Sequence, residues 1–283
     1  MDPRIRRRVR HVVNSAIAFF VTAIFFFPIY WALSTSLRNP KQTFTVAGLG
    51  IPWVNFQPTF DNWVDQLSTG NTQLALLNSL IIAGGATLVA MGLGLPAAYS
   101  LARFKFPRLD TTSMTVFFLS QRVLPPVAVV IPFYLIARQL GLLDSRIALI
   151  ALNAMFILPF VVVIMRQTFM DLPIELEEAA KVDGAKPWQA FFIIALPLAL
   201  PALAATGLII FAFAWNEFLF AMALAGNNAK PITVHMAGAV DTRGVQFWFM
   251  AVRACIALIP PVVLALIAQR YIVRGLTLGA VRG

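Results

Sequence analysis

Apolar residues in this chain fall into six long runs, near residues 12–37, 75–101, 112–137, 147–170, 199–225 and 250–272. Polar and charged residues concentrate in the connections between them. A helix needs ~20 mostly apolar residues to cross the hydrocarbon core, and each run reaches or exceeds that length. The pattern predicts an all-α membrane protein with six transmembrane helices in one domain over residues 12–272. Several runs carry proline, among them Pro28, Pro96, Pro132 and Pro159. Membrane helices tolerate it where neighbouring helices or local rearrangement satisfy the freed carbonyl.

Composition agrees with the pattern. Hydrophobic residues make up 59% of the 283 positions, charged residues only 12%, and the mean hydropathy is +0.80. A soluble domain needs more polar surface than that. The net charge of +10 would suit nucleic acid in another setting. In a membrane chain basic residues mark cytoplasmic ends and meet anionic lipid, so the expected partner is lipid and no nucleic acid. The single cysteine, Cys255, excludes an internal disulfide and sits in an apolar run, where a buried thiol is inert. The basic start from Arg4 to Arg10 precedes an apolar stretch too long for a signal-peptide core, so it reads as a retained first span.

Six spans put both termini on one side, and the basic residues choose it. With residues 1–11 cytoplasmic, Arg4, Arg6, Arg7, Arg8 and Arg10 lie inside. So do Arg103, Lys105 and Arg108, then Arg166, Lys181 and Lys186, and finally Arg270, Arg274 and Arg282 near the 273–283 tail. Arg38, Lys41, Arg122, Arg138, Arg146, Lys230, Arg243 and Arg253 fall outside or at membrane depth. Two connections on the outer side are long: residues 38–74, with Pro40, Pro52, Pro58, Trp53 and Trp63, and residues 226–249.

The fourth connection, residues 171–198, carries the most information. Asp171 suits a helix cap and Pro173 a first turn. Glu175, Glu177 and Glu178 crowd the end where the helix dipole favours negative charge. Glu177 and Lys181 stand at i and i+4. Gly184 fits a C-terminal stop, and Pro187 permits a new start. Leu176, Ala179, Ala180 and Asp183 share one face. That face has little bulk, so another protein could approach closely. The competing reading is a solvated connecting helix whose charges serve solubility.

Residues 178–201 resemble the EAA loop of ABC importer permeases. Glu178, Ala179 and Ala180 precede Asp183 and Gly184, and Phe191, Leu196, Pro197 and Pro201 follow at the family's spacing. Segments 27–31, 97–104, 215–218 and 269–283 are similar to the carbohydrate-uptake branch, nearest to the second permease of maltose-type importers. The resemblance implies a type I ABC importer permease fold with a cytoplasmic coupling helix, in the inner membrane of a bacterium. It implies a heterodimer with a second permease, two ATPase subunits and an external solute-binding protein. Carried over, Glu178 is the polar anchor towards the ATPase, Ala179 and Ala180 are close-packing positions, Gly184 is the turn, and Asp183 matches the motif as contact or cap. ATP is expected only on the partners, since no Gly-x4-Gly-Lys-Ser/Thr pattern occurs in this chain.

Charged groups at membrane depth are costly and face a bundle interior or an aqueous cavity. Arg122 stands midway in the third run; Glu217, beside Trp215 and Asn216, stands in the fifth. Such groups suit a sugar path, with polar side chains for hydroxyls and an aromatic ring for the sugar's apolar face. An internal ion pair or packing between permease subunits is the alternative. His11 and His235 lie too far apart in topology for a metal or acid–base pair, and Gly92 with Gly94 favours close helix packing. No nucleophile–base arrangement appears, so the chain is expected to have no catalytic residues, bound cofactor or metal. A self-contained, ion-gradient-driven carrier and a membrane anchor are the competing classes; the carrier leaves the acidic helix at 173–187 unexplained, and an anchor would not need charges in its spans.

Overall fold

The structure, a computed structural model, describes residues 3–46, 48–107, 110–121, 123–241 and 244–279. In chain order the helices are α1 Pro3–Ser36, α2 Asp61–Ser68, α3 Asn71–Arg103, α4 Thr111–Ser120, α5 Pro126–Gln139 and α6 Arg146–Asp171. Next come α7 Ile174–Val182, α8 Pro187–Gln189, a π-helical turn Ala190–Ala195, α9 Leu196–Leu198 and α10 Leu200–Trp215. The chain ends with α11 Leu219–Leu224, α12 Ile232–Ala237, a two-residue hairpin of β1 Val240–Asp241 and β2 Gly244–Val245, and α13 Phe247–Gly279.

Among the described residues, four segments are long and apolar enough to cross a bilayer: Arg10–Ser36, Asn71–Arg103, Arg146–Asp171 and Phe247–Gln269. A fifth arises if Pro187–Leu198 and Leu200–Trp215, bent by 79°, count as one span. Pro201 supplies no N–H to the carbonyl four residues back and its ring crowds that carbonyl, so the helix breaks just before it. The third apolar run, expected as one span, is carried by α4 and α5 instead. Pro125 is extended, at φ −64° and ψ 129°, and Pro126 opens the new helix; neither can donate to a continuous ladder. The fifth run likewise stops at Trp215 and resumes at Leu219.

The chain divides into two compact units. The larger comprises residues 73–235 and 259–283. Its centre is α6, whose Leu149, Leu152, Ile157, Val161, Val162, Met165 and Phe169 are buried at helical spacing. α10 brings Ile210, Phe211 and Ala214 into that core, and the Thr206 hydroxyl points at Met165 Sδ, 3.5 Å away. Phe133, Phe156 and Phe220 join α5, α6 and α11 through tilted and edge-on ring contacts. α3 approaches α6 at Gly94, where a Cβ would lie 2.7 Å from Val161 Cγ1. Gly92 meets nothing within 4 Å, so close packing rests on Gly94 alone of that pair.

The smaller unit comprises residues 1–72 and 236–258. The most apolar stretch of α1 has none of its residues buried, as befits a helix facing lipid or another subunit. Its C-terminal end is tied down. Asn62 Nδ2 donates to the carbonyls of Ser36 and Arg38, and Trp63 Nε1 donates to Ser36 Oγ. Arg253 of α13 reaches Gln66 at 2.6 Å.

Candidate functional site: the α7 loop and the far end of α6

The connection after α6 forms a short helix whose two ends are built differently. At its start, Pro173 occupies the cap position without a side-chain hydrogen bond. Asp171 does not cap it: its carboxylate accepts from Gln167 Nε2, one turn back on α6. At its end, the Gly184 N–H bonds to Lys181 O and the Ala185 N–H to Ala180 O. Gly184 has φ +89°. These paired bonds with a left-handed residue form a Schellman stop, which glycine adopts without strain. The Lys186 N–H then donates to Gln189 Oε1 and α8 begins at Pro187.

One side chain of α7 is buried, and it is not the expected anchor. Glu177 is 1% exposed. Its Oε2 accepts from the Tyr99 hydroxyl at 2.6 Å, and its Oε1 from Arg103 Nε at 2.8 Å. Arg103 Nη2 also donates to the Leu172 carbonyl. The i, i+4 pairing of Glu177 with Lys181 does not form; Glu177 turns inward to the last turn of α3, and Lys181 is exposed. Tyr99 is packed among Phe169 and Phe191, with ring centroids 5.5 and 4.9 Å away. A carboxylate, a guanidinium and a phenol thus join α7, α3 and the π-helical turn at one buried point. Sequence inspection passes over this cluster because its members lie 74 and 78 residues apart. The only signal was a third glutamate beside the motif.

Most of the remaining surface of α7 is open. Glu178, Ala179, Lys181, Asp183 and Gly184 are exposed and Ala180 is half-buried. Leu176, Val182 and Trp188 add exposed apolar area, with Val182 88% accessible. Four of the five motif residues are therefore exposed, Ala180 is partly covered, and Glu177 alone is fully buried.

At the other end of α6, roughly 40 Å away at 1.5 Å per residue, Asp144 holds a second connection in place. Its carboxylate accepts from the backbone N–H groups of Gly226, Asn228 and Ala229 and from Asn228 Nδ2, at 2.8–3.0 Å. Burial pushes this carboxyl up, but those four donors outweigh it and hold it below the usual carboxylate range. Asn78 Nδ2 binds the carbonyls of Asn228 and Lys230, and Arg146 Nε fixes the Asn78 oxygen.

The residues considered for a solute path occupy different settings. Trp215 is 4% exposed and stacked on Phe211. Glu217 caps α11, its carboxylate accepting from the N–H groups of Phe220 and Ala221. Trp215 and Glu217 border a void of only about 10 Å³, too small for a sugar. Asn216 is exposed, with its amide on the Ala212 carbonyl. Arg122 lies outside the described residues. Its neighbours Gln121 and Leu124 line a cavity of about 340 Å³ with Phe133, Phe156 and Pro159. Among the described residues no group of three His, Cys, Asp or Glu could hold a metal ion.

Residues 90–278 match the family model described as "Binding-protein-dependent transport system inner membrane component". The trehalose transport system permease protein SugB of Mycobacterium tuberculosis is 38% identical over 261 residues, covering 90% of this chain and 92% of that protein. The trehalose/maltose transport system permease protein MalG of Thermococcus litoralis is 33% identical over 287 residues, the full length of both. Among solved structures, a bacterial ABC transporter involved in importing the acidic polysaccharide alginate superposes with a TM-score of 0.75 at 22% identity. That likeness covers 93% of this chain and 96% of the other, and it concerns the fold. The chain belongs to the family of binding-protein-dependent transport system inner membrane components, and is a multi-pass ABC permease subunit rather than an enzyme.

Proposed function

We propose that this chain forms half of the translocation path of an importer for a sugar or sugar-like solute, driven by separate ATPase subunits. The observation that carries the reading is α7: a nine-residue helix with one buried side chain locked to a membrane-spanning helix, and with Glu178, Ala179, Asp183 and Gly184 exposed beside a half-buried Ala180. A helix held this way moves with α3 and cannot rotate freely against it. Glu178, Ala179, Ala180, Asp183 and Gly184 then form the docking face for an ATPase, whose closure on ATP drives α7 and α3 together. Relatives named for trehalose and maltose transport support a sugar as the solute. The family description supports an external binding protein as the delivering partner.

In this reading the chain has six spans, with α4 and α5 together forming the third, and both termini are cytoplasmic. Positive charge near residues 4–10 and 103–108 supports that orientation. Asn216 is the member of the fifth-run group available to solute, while Trp215 and Glu217 shape the turn that presents it. Arg122 joins them on sequence alone. A second, different permease completes the path.

The test is purification of the tagged chain from its host in mild detergent, with co-purifying proteins identified by mass spectrometry. The expected result is an ATPase carrying a Walker A sequence, a second multi-span permease, and sugar uptake by reconstituted vesicles only with ATP inside and binding protein outside. A chain that purifies alone and moves solute on an ion gradient would overturn the reading.

A further inference from the structure

Arg38 stands two residues beyond the end of the α1 span, is 1% exposed, and has no carboxylate paired with it among the described residues. Its partners among the described residues are neutral. Nη2 donates to Ser34 Oγ at 3.0 Å. The guanidinium carbon lies 4.7 Å from the Trp31 ring centre and 5.3 Å from that of Phe56. The Ser34 hydroxyl donates to the Gly50 carbonyl, and a Cβ at Gly50 would collide with Nη2, so the loop closes one side of the cation. The ring faces and one hydroxyl leave Arg38 Nε without any hydrogen-bond partner. A buried charge so weakly compensated is costly unless something outside the chain completes it.

Arg38 also borders a recess of about 400 Å³. Thr35, one turn earlier on α1, borders the same recess, and its buried hydroxyl also lacks a partner. Two residues with unsatisfied buried polar atoms, one of them charged, thus border one recess. The remaining walls are apolar: Trp31 from α1, Phe44 from the loop, and Phe247 and Met250 from the first turn of α13. Both helices carry membrane-spanning segments that end or begin here, so the recess stands at interface depth with apolar flanks.

We propose that this recess binds an anionic phospholipid, its phosphodiester accepting from Arg38 and Thr35 and its chains running along the α1 and α13 flanks. A phosphate is an acceptor-only group of the required charge. A neutral sugar would satisfy the hydrogen bonds and leave the charge; a fatty chain alone would do neither. Lipid bound there would cement α1 to the start of α13 within this unit.

The experiment reconstitutes the full chain, alone and with its co-purified partners, in equimolar phosphatidylglycerol and phosphatidylcholine. Retained lipid is then counted by native mass spectrometry after detergent exchange. Wild type should hold phosphatidylglycerol in excess over phosphatidylcholine. Arg38→Gln should lose about tenfold of it, as expected for one charge-assisted hydrogen bond. Ala254→Phe, which fills the recess without removing the cation, should lose it as well, and Arg38→Lys should retain part. Equal retention by wild type, Arg38→Gln and Ala254→Phe overturns the proposal. So does displacement of the lipid by millimolar inorganic phosphate, which would mark a small-anion site. Retention by the isolated chain that vanishes in the complex also overturns it, because a partner's carboxylate would then be the occupant.

Discussion

Glu177 and Glu178 are adjacent, yet their settings differ completely. Glu178 projects into solvent, and Glu177 is bonded to Tyr99 and Arg103 in a buried cluster. Removing one member leaves the other buried and uncompensated, a loss of about 3–5 kcal/mol for well-buried pairs. Glu177→Ala should therefore lower the melting temperature of the detergent-solubilised chain, whereas Glu178→Ala should leave it nearly unchanged. In reconstituted complexes, Glu177→Gln should reduce solute moved per ATP hydrolysed, and the exchange Arg103→Glu with Glu177→Arg should restore part of it. An unchanged transport-to-hydrolysis ratio in Glu177→Gln would remove the cluster from coupling. Asp144 provides a pH-dependent counterpart outside the spans. Its carboxyl sits below the usual carboxylate range in the folded chain. The stability it confers is therefore complete above that range and disappears as pH falls through the lowered folded value. Asp144→Asn should make the amides of residues 226–229 exchange about tenfold faster at neutral pH, the effect of losing one charge-assisted hydrogen bond. Wild type should match it only in strong acid.

Between elements, packing depends on where small residues meet a neighbour. Gly94 stands against Val161 of α6, while Gly92, half a turn away on α3, faces open space. Gly94→Ala should cost roughly 1–3 kcal/mol through overpacking, read as a lower melting temperature. Gly92→Ala should be neutral or slightly stabilising, because alanine is the better helix former. Similar loss from both variants would show that α3 and α6 do not meet at Gly94. The breaks in the third and fifth apolar runs follow the same logic of local donors. Pro125 and Pro126 remove two N–H groups, and the Glu217 carboxylate captures the N–H groups that would otherwise continue the ladder. The broken segments lie beside Gln121 and Asn216, where polar groups interrupt apolar helices.

For the whole molecule, orientation is the property to test. In a Cys255→Ser background, Val182→Cys should react with a membrane-impermeant maleimide only after the cytoplasmic side is opened. Asn227→Cys should react in intact cells. Reaction of both from the same side would invert or abolish the six-span arrangement. The two positions flank opposite ends of α6, so the pair also reports whether that helix crosses the bilayer.

Hydrophobic run length depends only on local composition, and it was enough to identify a helical membrane chain. The α7 stop was equally local: the Gly184 N–H bonds three positions back and the Ala185 N–H five positions back. The motif face was readable for the same reason, since its residues repeat at helical spacing within one short segment. The inward-facing glutamate was not readable, because its partners come from a distant helix and three acidic residues in one turn look alike on paper. The same holds for the helix breaks, where proline is tolerated in some spans and decisive in others according to what neighbours supply. It holds most for Arg38, one cation among 22 basic residues, whose want of a carboxylate among the described residues shows only once the chain is folded around it. Sequence determines which groups are present and their local period; tertiary structure decides which of them are left to find a partner elsewhere.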